Sequence, residues 1–329
     1  MRNRLLINLA LLVGALVLGA VVWLKPGKPP APLPVPLTAL KADAVTRIAV
    51  DGRGDPFTLE RQDGTWFLVA GPVRLRARQY RVDALLGLVS APRLATVTEG
   101  TGADFGLDPP AARVRFDDTE IALGDSNPVD FRRYTHVGDA TYLTDDAYFH
   151  HLASPWTDWA DLRLLPPGAS LERVVTPSYT LTLNAQGAYD LSPAQAGISA
   201  DTLVLRAQDW AAVQAVATRA APAQIPAQTT ALELTYREPG AADPVTLRYA
   251  LERQAGAVLA HRRDLPVSFE IALAEAERLL RPPVPEPPIE DAPATDSPPA
   301  EPSSEGTATP DLPAMADPAA PAAPPPAGD

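Results

Sequence analysis

The uneven distribution of proline is the feature that most limits how this chain can fold. Of the 38 prolines in 329 residues, six lie in residues 26–36 and 16 lie in residues 282–329. Proline fixes φ and removes the backbone N–H donor, so neither segment can form a regular helix or the middle of a sheet. The other 16 prolines are spread over residues 37–281 at close to the usual background. The sequence therefore predicts a folded region between two proline-rich segments.

Acidic residues follow the same division. The chain has a formal net charge of −12, and residues 282–329 contain nine Asp or Glu and no Lys or Arg, which leaves −12 less −9, or −3, for the rest. The acidity is therefore concentrated in the tail, and the net negative charge disfavours a nucleic-acid partner. The absence of Cys excludes thiol nucleophiles, disulfides and thiolate metal sites, and four His are few for a metal centre.

Residues 5–24 form an apolar stretch in which Asn8 is the one polar side chain. Twenty such residues are enough to cross a bilayer as a helix. A cleaved signal peptide is the alternative, but it needs a shorter apolar region and a small residue where Leu18 stands. We predict that residues 1–24 are an uncleaved single-pass anchor in the inner membrane. The positive charges on the two sides nearly cancel, and the free amino group favours a cytoplasmic N-terminus with the rest of the chain in the periplasm.

The two proline-rich segments predict different structures. Residues 25–37 have proline at nearly every second position, which indicates a semi-rigid polyproline stalk about 30–40 Å long. This stalk either holds the folded region off the membrane or is a spacer without a length requirement. Residues 282–329 have too few apolar side chains to offset the entropy of ordering and are predicted to be disordered. The tail is either a solubilising spacer or a proline-rich ligand for a partner.

Alternation of apolar and polar residues predicts strands in the first half of the folded region. The first strands are expected at residues 45–50, 57–61 and 66–69, with a hairpin turn at Asp63-Gly64. Val82, Leu85 and Val89 then share one helical face, which predicts a helix over residues 79–90 that Pro92 ends. Later elements are expected as strands at 113–116, 119–123, 134–137 and 141–144 and a short helix over 145–152.

The second half repeats this plan. FTLERQDGTWFL from Phe57 aligns with YTLTLNAQGAYDL from Tyr179, which places Gly64 on Gly187. The spacing of Trp210, Val213, Val216 and Ala217 predicts a second helix, followed by strands at 232–236 and 245–249 and a last helix around 271–281. We therefore predict an α+β fold of two similar units, each a mainly antiparallel sheet plus helix, spanning residues 38–165 and 166–281.

Several segments of the first unit resemble the DUF4340 domain family of bacterial envelope proteins. These segments are DGTW (63–66), VDALLGL (82–88), FGLDPP (105–110), IALG (121–124) and the stretch from Tyr134 to YLTDD (142–146). The resemblance covers residues 44–165, extends more weakly to 281, and is distinctive only in FGLDPP, where Phe105 stands in place of the family's usual Tyr. It implies a membrane-anchored periplasmic protein, often encoded beside ABC-transporter components, and brings no catalytic residues to carry over.

Two aromatic or basic clusters are candidate contacts for a ligand or partner. Trp156 and Trp159 could stack on a sugar or peptide, although a packing role between the repeats is the favoured interpretation because Trp buries a large area. Arg132, Arg133 and Tyr134 form a small basic and aromatic spot, for which the plainer interpretation is a solvated edge strand protected by Arg.

Two further motifs suggest chemistry. Gly124-Asp125-Ser126 resembles the nucleophile block of GDS-type esterases, but the chain has no Asp-x-x-His to activate the serine, so a turn between strands is favoured. His150 and His151 with Asp145 and Asp146 are too few for a closed metal site, and a helix capped by Asp145 is favoured. We predict no cofactor, no metal and no catalytic residue.

These observations predict a membrane-anchored periplasmic interaction or scaffolding subunit of an envelope assembly. The resemblance extends this prediction to an accessory role beside an ABC-type transporter. A binding module for cell-wall glycan or peptide, acting through Trp156 and Trp159, is the alternative. A GDS-type hydrolase acting through Ser126 is the third.

Overall fold

The computed structural model describes residues 2–23 and 35–285. The predicted stalk, except its last three residues, and nearly all of the predicted tail lie outside these residues. The helices are α1 (Arg2–Trp23), α2 (Gln79–Leu86), α3 (Phe149–Leu152), α4 (Ala200–Ala212) and α5 (Leu273–Leu280). Among the described residues, no helix meets the length and apolarity that crossing a membrane requires.

The first sheet has nine antiparallel strands. They are β1 (Arg47–Asp51), β2 (Phe57–Gln62), β3 (Thr65–Ala70), β4 (Val73–Arg76), β5 (Ala95–Val97), β6 (Ala112–Phe116), β7 (Thr119–Ser126), β8 (Arg133–Val137) and β9 (Ala140–Thr144). Their order across the sheet is β4-β3-β2-β1-β6-β7-β8-β9-β5.

The second sheet has eight antiparallel strands. They are β10 (Ser170–Val175), β11 (Thr180–Leu183), β12 (Tyr189–Ser192), β13 (Ala217–Ala220), β14 (Thr230–Arg237), β15 (Val245–Arg253), β16 (Ala257–Arg262) and β17 (Val267–Ala272). Their order is β12-β11-β10-β14-β15-β16-β17-β13.

The two sheets have the same topology, which confirms the predicted pair of similar units. The first strands of each sheet, four in the first sheet and three in the second, lead into a helix. A short strand then crosses to the far edge, and a four-strand meander closes the order. The helix α2 precedes the edge strand β5 as α4 precedes β13, and each meander ends in a helix, α3 or α5. The strand β4 is the one element of the first sheet without a counterpart in the second.

The aligned hairpin turns share a backbone conformation. Gly64 has φ 77° and Gly187 has φ 80°, so both lie in the left-handed region that favours glycine. Asp63 before Gly64 also has a positive φ of 48°. Two successive positive φ values match the twist of a two-residue hairpin and explain why Asp-Gly marks the turn between β2 and β3.

Each sheet packs one face against its own helix. In the first unit the apolar face of α2, with Val82, Leu85 and Leu86, is buried against alternate residues of the strands. In the second unit Leu203, Ala207 and Trp210 of α4 have the same role. Alternation of buried and exposed residues along strands such as β6 and β14 follows from a sheet with one helix-covered face.

One polar contact fixes the second core. The indole Nε1 of Trp210 donates to the hydroxyl of Tyr179 at 2.7 Å, and that hydroxyl donates to the carbonyl oxygen of Leu279 at 2.7 Å. The side chains of Trp210 and Tyr179 are buried, so the chain of hydrogen bonds satisfies their polar atoms while it joins α4, the residue before β11, and α5.

The structure corrects the lengths of the predicted helices. The helix expected over residues 79–90 is α2 followed by a tighter 3-10 turn at 87–90, because Gly87 favours leaving the α-helix there. The second helix ends at Ala212, and Ala217 pairs with β17 as part of β13. The helix expected over 145–152 is only α3, and Ile271 belongs to β17 rather than to the last helix.

Six strands were not predicted: β4, β5, β10, β13, β16 and β17. The short strands β4, β5 and β13 offer too few residues for a pattern. The strand β16 is buried at five consecutive positions, so it lacks the polar and apolar alternation by which a strand is recognised.

The left-handed turn at Gly64 gives a test of the fold. Substituting Gly64→Ala should lower the free energy of unfolding by about 1–2 kcal/mol, because a Cβ is disfavoured at positive φ although no atom stands in its way. The measurement is urea denaturation of the full chain in detergent. Gly256→Ala is the control, since Gly256 has equal space without positive φ; equal effects of both substitutions would contradict the assigned turn.

Candidate binding cleft between the two sheets

The two sheets are joined by a connector, which we define as residues 159–165. On one side, the N–H of Arg78 donates to the carbonyl oxygen of Trp159 at 2.7 Å, and the N–H of Asp161 donates to that of Arg76 at 2.8 Å. On the other side, the N–H of Ala215 donates to the carbonyl oxygen of Leu162 at 2.8 Å. The connector thus bonds to the end of β4 and to the segment before β13, and the described residues of both sheets belong to one compact unit.

A cleft of about 340 Å³ opens beside this connector. Its walls come from β3 and β4 of the first sheet, from the connector, and from β14 to β17 of the second sheet. Its charged lining residues are Arg74, Arg76, Asp161, Arg163, Glu238, Arg262 and Asp264, and its large apolar and aromatic lining residues include Phe67, Leu75, Leu164, Leu165, Tyr236, Leu247 and Phe269. Apolar side chains with a few polar groups are the usual lining of a binding pocket.

An adjoining hollow of about 390 Å³ continues the cleft along the connector. It shares Arg76, Asp161 and Arg163 with the cleft and adds Arg78 and Tyr80. The two hollows together present five arginines against three carboxylates, a local excess of positive charge on a chain whose net charge is −12. An acidic ligand would be attracted to this face of the molecule.

The arginines of the cleft differ in how they are held. Arg262, whose side chain is 10% exposed, binds both carboxylate oxygens of Asp264 at 2.7 and 2.5 Å. Arg74 donates to Glu60 at 3.1 Å and to Gln62 at 2.9 Å. Arg163 lies 3.9 Å from Asp161.

Arg76 and Arg78 differ from the other three. Neither takes part in an ion pair within the described part of the chain. Arg78 instead contacts the carbonyl oxygen of Ala160 and the hydroxyl of Tyr80, each at 3.4 Å. Arg76 lines the cleft, and Arg78 lines the adjoining hollow.

Neighbouring arginines and burial shift the pKa values of three groups in the cleft and its adjoining hollow. The hydrogen bond from Arg262 lowers the pKa of the Asp264 carboxyl, and hydrogen bonds from Arg78 and then Arg81 lower the pKa of the Tyr80 phenol. Burial raises the pKa of the Tyr236 phenol, which therefore stays protonated as a donor in the cleft.

The arginines give the cleft the donors that an anion requires. A guanidinium group presents paired N–H donors that match a carboxylate or phosphate in a planar, bidentate contact. In the cleft these donors lie among apolar side chains such as Leu75 and Leu247.

Trp156 and Trp159, which the sequence suggested as ligand contacts, are not among the residues that line this cleft. Trp159 is fully buried and packs against Phe57, with ring centroids 5.3 Å apart. Trp156 is half-buried and contacts the cores of both units. This placement corresponds to packing between the repeats, and Trp159 has no exposed face on which a sugar ring could stack.

A buried polar cluster surrounds Trp159. The guanidinium of Arg81 lies 5.6 Å from the indole ring and His151 lies 6.2 Å from it. The indole Nε1 of Trp159, Nδ1 of His151 and two nitrogens of Arg81 are buried without a hydrogen-bond partner among the described residues. Burial, with smaller contributions from His150 and Arg81, lowers the pKa of His151 to about 4, so this imidazole is neutral near pH 7.

Residues 132–134, the basic and aromatic cluster, do not lie on a protected edge strand as the plainer interpretation of the sequence held. The strand β8 lies inside the sheet between β7 and β9, so it is not an edge strand. Arg133 is buried, binds the Asp146 carboxylate and the carbonyl oxygen of Gly124, and lies over the ring of Phe149 at 3.7 Å. Arg132 pairs with Asp130 at 3.3 Å, and Tyr134 packs on Phe105 with ring centroids 4.6 Å apart.

The distinctive FGLDPP segment docks on β7. A Cβ at Gly124 would lie 2.1 Å from the carbonyl oxygen of Phe105, so only glycine permits this approach. The block Gly124-Asp125-Ser126 is therefore the irregular end of β7, where the pairing with β8 shifts register, and not the turn that was predicted. The turn follows at residues 127–131.

The weaker chemical motifs are not assembled into sites. Ser126 pairs in register with Arg133, and the imidazoles of His136 and His261 bond to other partners. Because α3 begins at Phe149, Asp145 does not cap it, and the Asp146 carboxylate is bound by Arg133. No group of three or more His, Asp or Glu is placed to hold a metal ion in residues 2–23 and 35–285.

One hydrogen-bonded triad was missed in the sequence because its members lie on three strands. His261 Nδ1 is 2.7 Å from the Ser268 hydroxyl, and its Nε2 is 2.9 Å from a carboxylate oxygen of Glu252. In serine hydrolases the serine contacts Nε2 and the acid contacts Nδ1, so the roles of the nitrogens are reversed here. Ser268 is also buried. The three side chains form a hydrogen-bonded link between β15, β16 and β17.

The fold and the cleft together define a duplicated α+β protein in which one antiparallel sheet-and-helix unit occurs twice. A family model described as a domain of unknown function (DUF4340) matches residues 66–235, which is just over half of the chain. The chain therefore belongs to the DUF4340 family. No curated protein and no solved structure matches it.

The matched range begins in β3 and ends in β14, so it starts later than the expected residues 44–165, ends within the weaker extension to 281, and runs across the connector. The family match thus includes β4 and the connector, which supply one wall of the cleft.

The neutral, buried His151 predicts a pH dependence of stability. Its pKa is about 4 in the folded chain against 6.5 ordinarily, so between these values the unfolded state binds more protons and stability falls as the pH falls. Between pH 7 and pH 4.5 the free energy of unfolding of the full chain should fall by about 1–2 kcal/mol more than that of a His151→Gln variant. This figure allows for the partial exposure of the His151 side chain. Denaturant unfolding at both pH values measures this. His150→Gln, at an exposed neighbour, should behave like the unsubstituted chain, and parallel pH profiles for all three would refute the assignment.

The triad predicts a structural role for His261. Substituting His261→Phe should lower the free energy of unfolding by about 2–3 kcal/mol, because the buried hydroxyl of Ser268 loses its partner. His136→Phe removes one contact at a half-buried site and should cost less than about 1 kcal/mol. Thermal and denaturant unfolding compare the two, and an equal cost would show that the buried triad does not hold these strands together.

Proposed function

We propose that this protein is a membrane-anchored, non-catalytic interaction subunit that holds an acidic segment of a partner protein in the cleft between its two sheets. The observation that carries the proposal is the pair Arg76 and Arg78, which line the cleft and its adjoining hollow and form no ion pair with a carboxylate in the described structure. Unpaired arginines beside apolar side chains are typical of protein interfaces.

The membrane location is proposed from the sequence of residues 5–24, which has the length and apolarity of a single span. The cytoplasmic N-terminus and periplasmic folded region follow from the same reasoning. The resemblance to envelope proteins encoded beside ABC-transporter components makes components of such a transporter the first partners to look for. The proposal concerns an envelope assembly, and the chain's own part in it is to bind and position.

The wall-binding alternative has less support from the geometry. It relies on Trp156 and Trp159, and Trp159 is fully buried while Trp156 is half-buried between the cores. The hydrolase alternative relies on Ser126, whose neighbour across the strand pair is Arg133 rather than a histidine. Neither alternative is favoured by an observation comparable to the unpaired arginines.

Reversal of one charge in the cleft tests the proposal. Arg76→Glu should reduce recovery of the partner from crosslinked membranes about tenfold or more, since a charge-assisted hydrogen bond contributes about 1.5–3 kcal/mol and each 1.4 kcal/mol is a factor of ten. Arg173→Glu is the charge-matched control, because Arg173 is exposed on β10 and does not line the cleft.

The readout is quantitative mass spectrometry of proteins that co-purify with the full chain, with equal amounts of each variant in the membrane fraction. Loss of transporter or other envelope proteins with Arg76→Glu and their retention with Arg173→Glu would support the cleft as the binding site. Recovery of the same proteins at unchanged levels with Arg76→Glu, or of none above background with the unsubstituted chain, would contradict it.

A further inference from the structure

We propose that one end of the first sheet, carrying Val35, Leu94, Val129 and Phe131, rests on the lipid surface of the membrane that holds the chain. We call these four side chains the apolar end. The inference rests on the membrane anchoring given under the proposed function and goes beyond it, since it assigns a second, reversible contact with lipid to the folded region.

The most exposed part of this end is the loop between β7 and β8. Val129 is 87% exposed and Phe131 is 75% exposed. The loop is held by backbone bonds, in which the N–H of Phe131 donates to Asn127 O at 2.9 Å and the N–H of Asn127 donates to Arg132 O at 2.6 Å. The Asn127 side chain also accepts from the N–H of Val129 at 2.9 Å. Two large apolar side chains are thus displayed by an ordered turn.

Phe131 also has an unusual backbone. Its φ is 58°, in the left-handed region that bulky side chains seldom occupy. Such a conformation carries an energetic cost and is found where the surrounding structure or a function requires it. Here the conformation is retained while the aromatic ring gains no burial within the chain, so the ring is available for a contact outside it.

Strand register places the other two side chains at the same end. Ser126 on β7, Arg133 on β8 and Thr144 on β9 are level with one another. The N–H of Leu94 donates to the carbonyl oxygen of Leu143 at 2.9 Å, which makes Leu94 level with the end of β9. The next residue outward, Arg93, donates to the carbonyl oxygen of Val35 at 2.9 Å.

The four side chains therefore lie along one end of the sheet, with the end of β9 and the exposed Asp145 between the loop and Leu94. Adjacent strands are about 4.8 Å apart, so Val35 and the β7–β8 loop are separated by roughly 15 Å. Leu94 lies between them. Leu94 is 36% exposed and Val35 is 58% exposed, so all four side chains have surface to bury.

The path of the chain indicates what covers this end. Val35 is the first described residue after Trp23, and residues 24–34 join the two. Eleven intervening residues span at most about 40 Å. The apolar end is thus the end of the folded region to which the proposed anchor is tethered, and no other part of the described folded region is joined to the anchor by so short a segment.

Charge at the loop also fits a lipid surface. Arg132 pairs with Asp130 at 3.3 Å, so the loop segment 127–132 carries no net charge. Phe and Val without a net charge suit shallow insertion at the boundary between headgroups and acyl chains and do not require anionic lipid. Zwitterionic phosphatidylcholine is therefore the appropriate probe.

The absence of Cys makes a site-specific test direct, because any introduced cysteine is the only label site. Phe131→Cys, Val129→Cys and, as control, Val216→Cys are each labelled with an environment-sensitive fluorophore in the full chain. Val216 is an apolar residue of the second unit that is 58% exposed. The labelled proteins are reconstituted in phosphatidylcholine vesicles with and without a lipid-borne quencher. Far-ultraviolet circular dichroism checks that each variant is folded.

We expect labels at positions 129 and 131 to shift to shorter emission wavelength and to be quenched by the lipid-borne quencher at least threefold more than the label at position 216. A label at 131 that stays water-exposed in protein that floats with the vesicles would overturn the lipid contact and leave the anchoring proposal standing. Protein that does not float with vesicles would refute the anchoring and this inference together. Protection in native membranes but not in pure lipid vesicles would assign the apolar end to a protein partner and contradict the proposal.

Discussion

Backbone hydrogen bonds of the connector are the interactions on which the arrangement of this molecule depends. Trp159 and Leu162 accept from opposite sheets, and Asp161 donates to the end of β4. Each sheet has its own helix and its own apolar core, so the connector supplies backbone bonds that join two otherwise separate cores. The half-buried Trp156 reinforces the junction because it touches both cores. The position of the cleft, the separation of its arginines and the placement of the predicted aromatic residues all follow from this short segment.

The cleft results from a difference between two otherwise equivalent units. Strand β4 has no counterpart in the second sheet, and it supplies Arg74, Leu75 and Arg76 to the cleft. Leu75 packs against both cores, while the arginines on either side of it face outward along the strand. One additional edge strand therefore both attaches the first sheet to the connector and provides the basic wall. Membership of the DUF4340 family agrees with this view, since the matched range includes β4, the connector and the start of the second sheet.

Much of the fold could be predicted from the sequence because its signals are local. Asp63-Gly64 and its equivalent at Gly187 mark hairpins through backbone conformation, and the apolar face of α2 follows from spacing alone. The cleft could not be predicted, since Arg76, Arg163 and Arg262 are far apart in the sequence and meet only through the connector. The edge-strand interpretation of Arg133 was wrong because strand order is a property of the whole sheet. The triad at His261 could not be predicted for the same reason. The role of the tryptophans could not be decided from the sequence because Trp is equally suited to stacking on a ligand and to filling a core.

Native-state hydrogen exchange of the connector tests the central claim most directly, namely that backbone bonds from this segment hold both sheets as one unit. Amide exchange of the full chain would be followed by mass spectrometry with peptides that cover residues 159–165 and 213–216. The account predicts that the amides of Asp161 and Ala215 exchange as slowly as those of the central strands β1 and β14, because each donates to a carbonyl oxygen across the junction. Exchange of these amides at the rate of exposed loops, while the strands stay protected, would show that the sheets are independent and that the cleft between them is not a fixed feature of the protein.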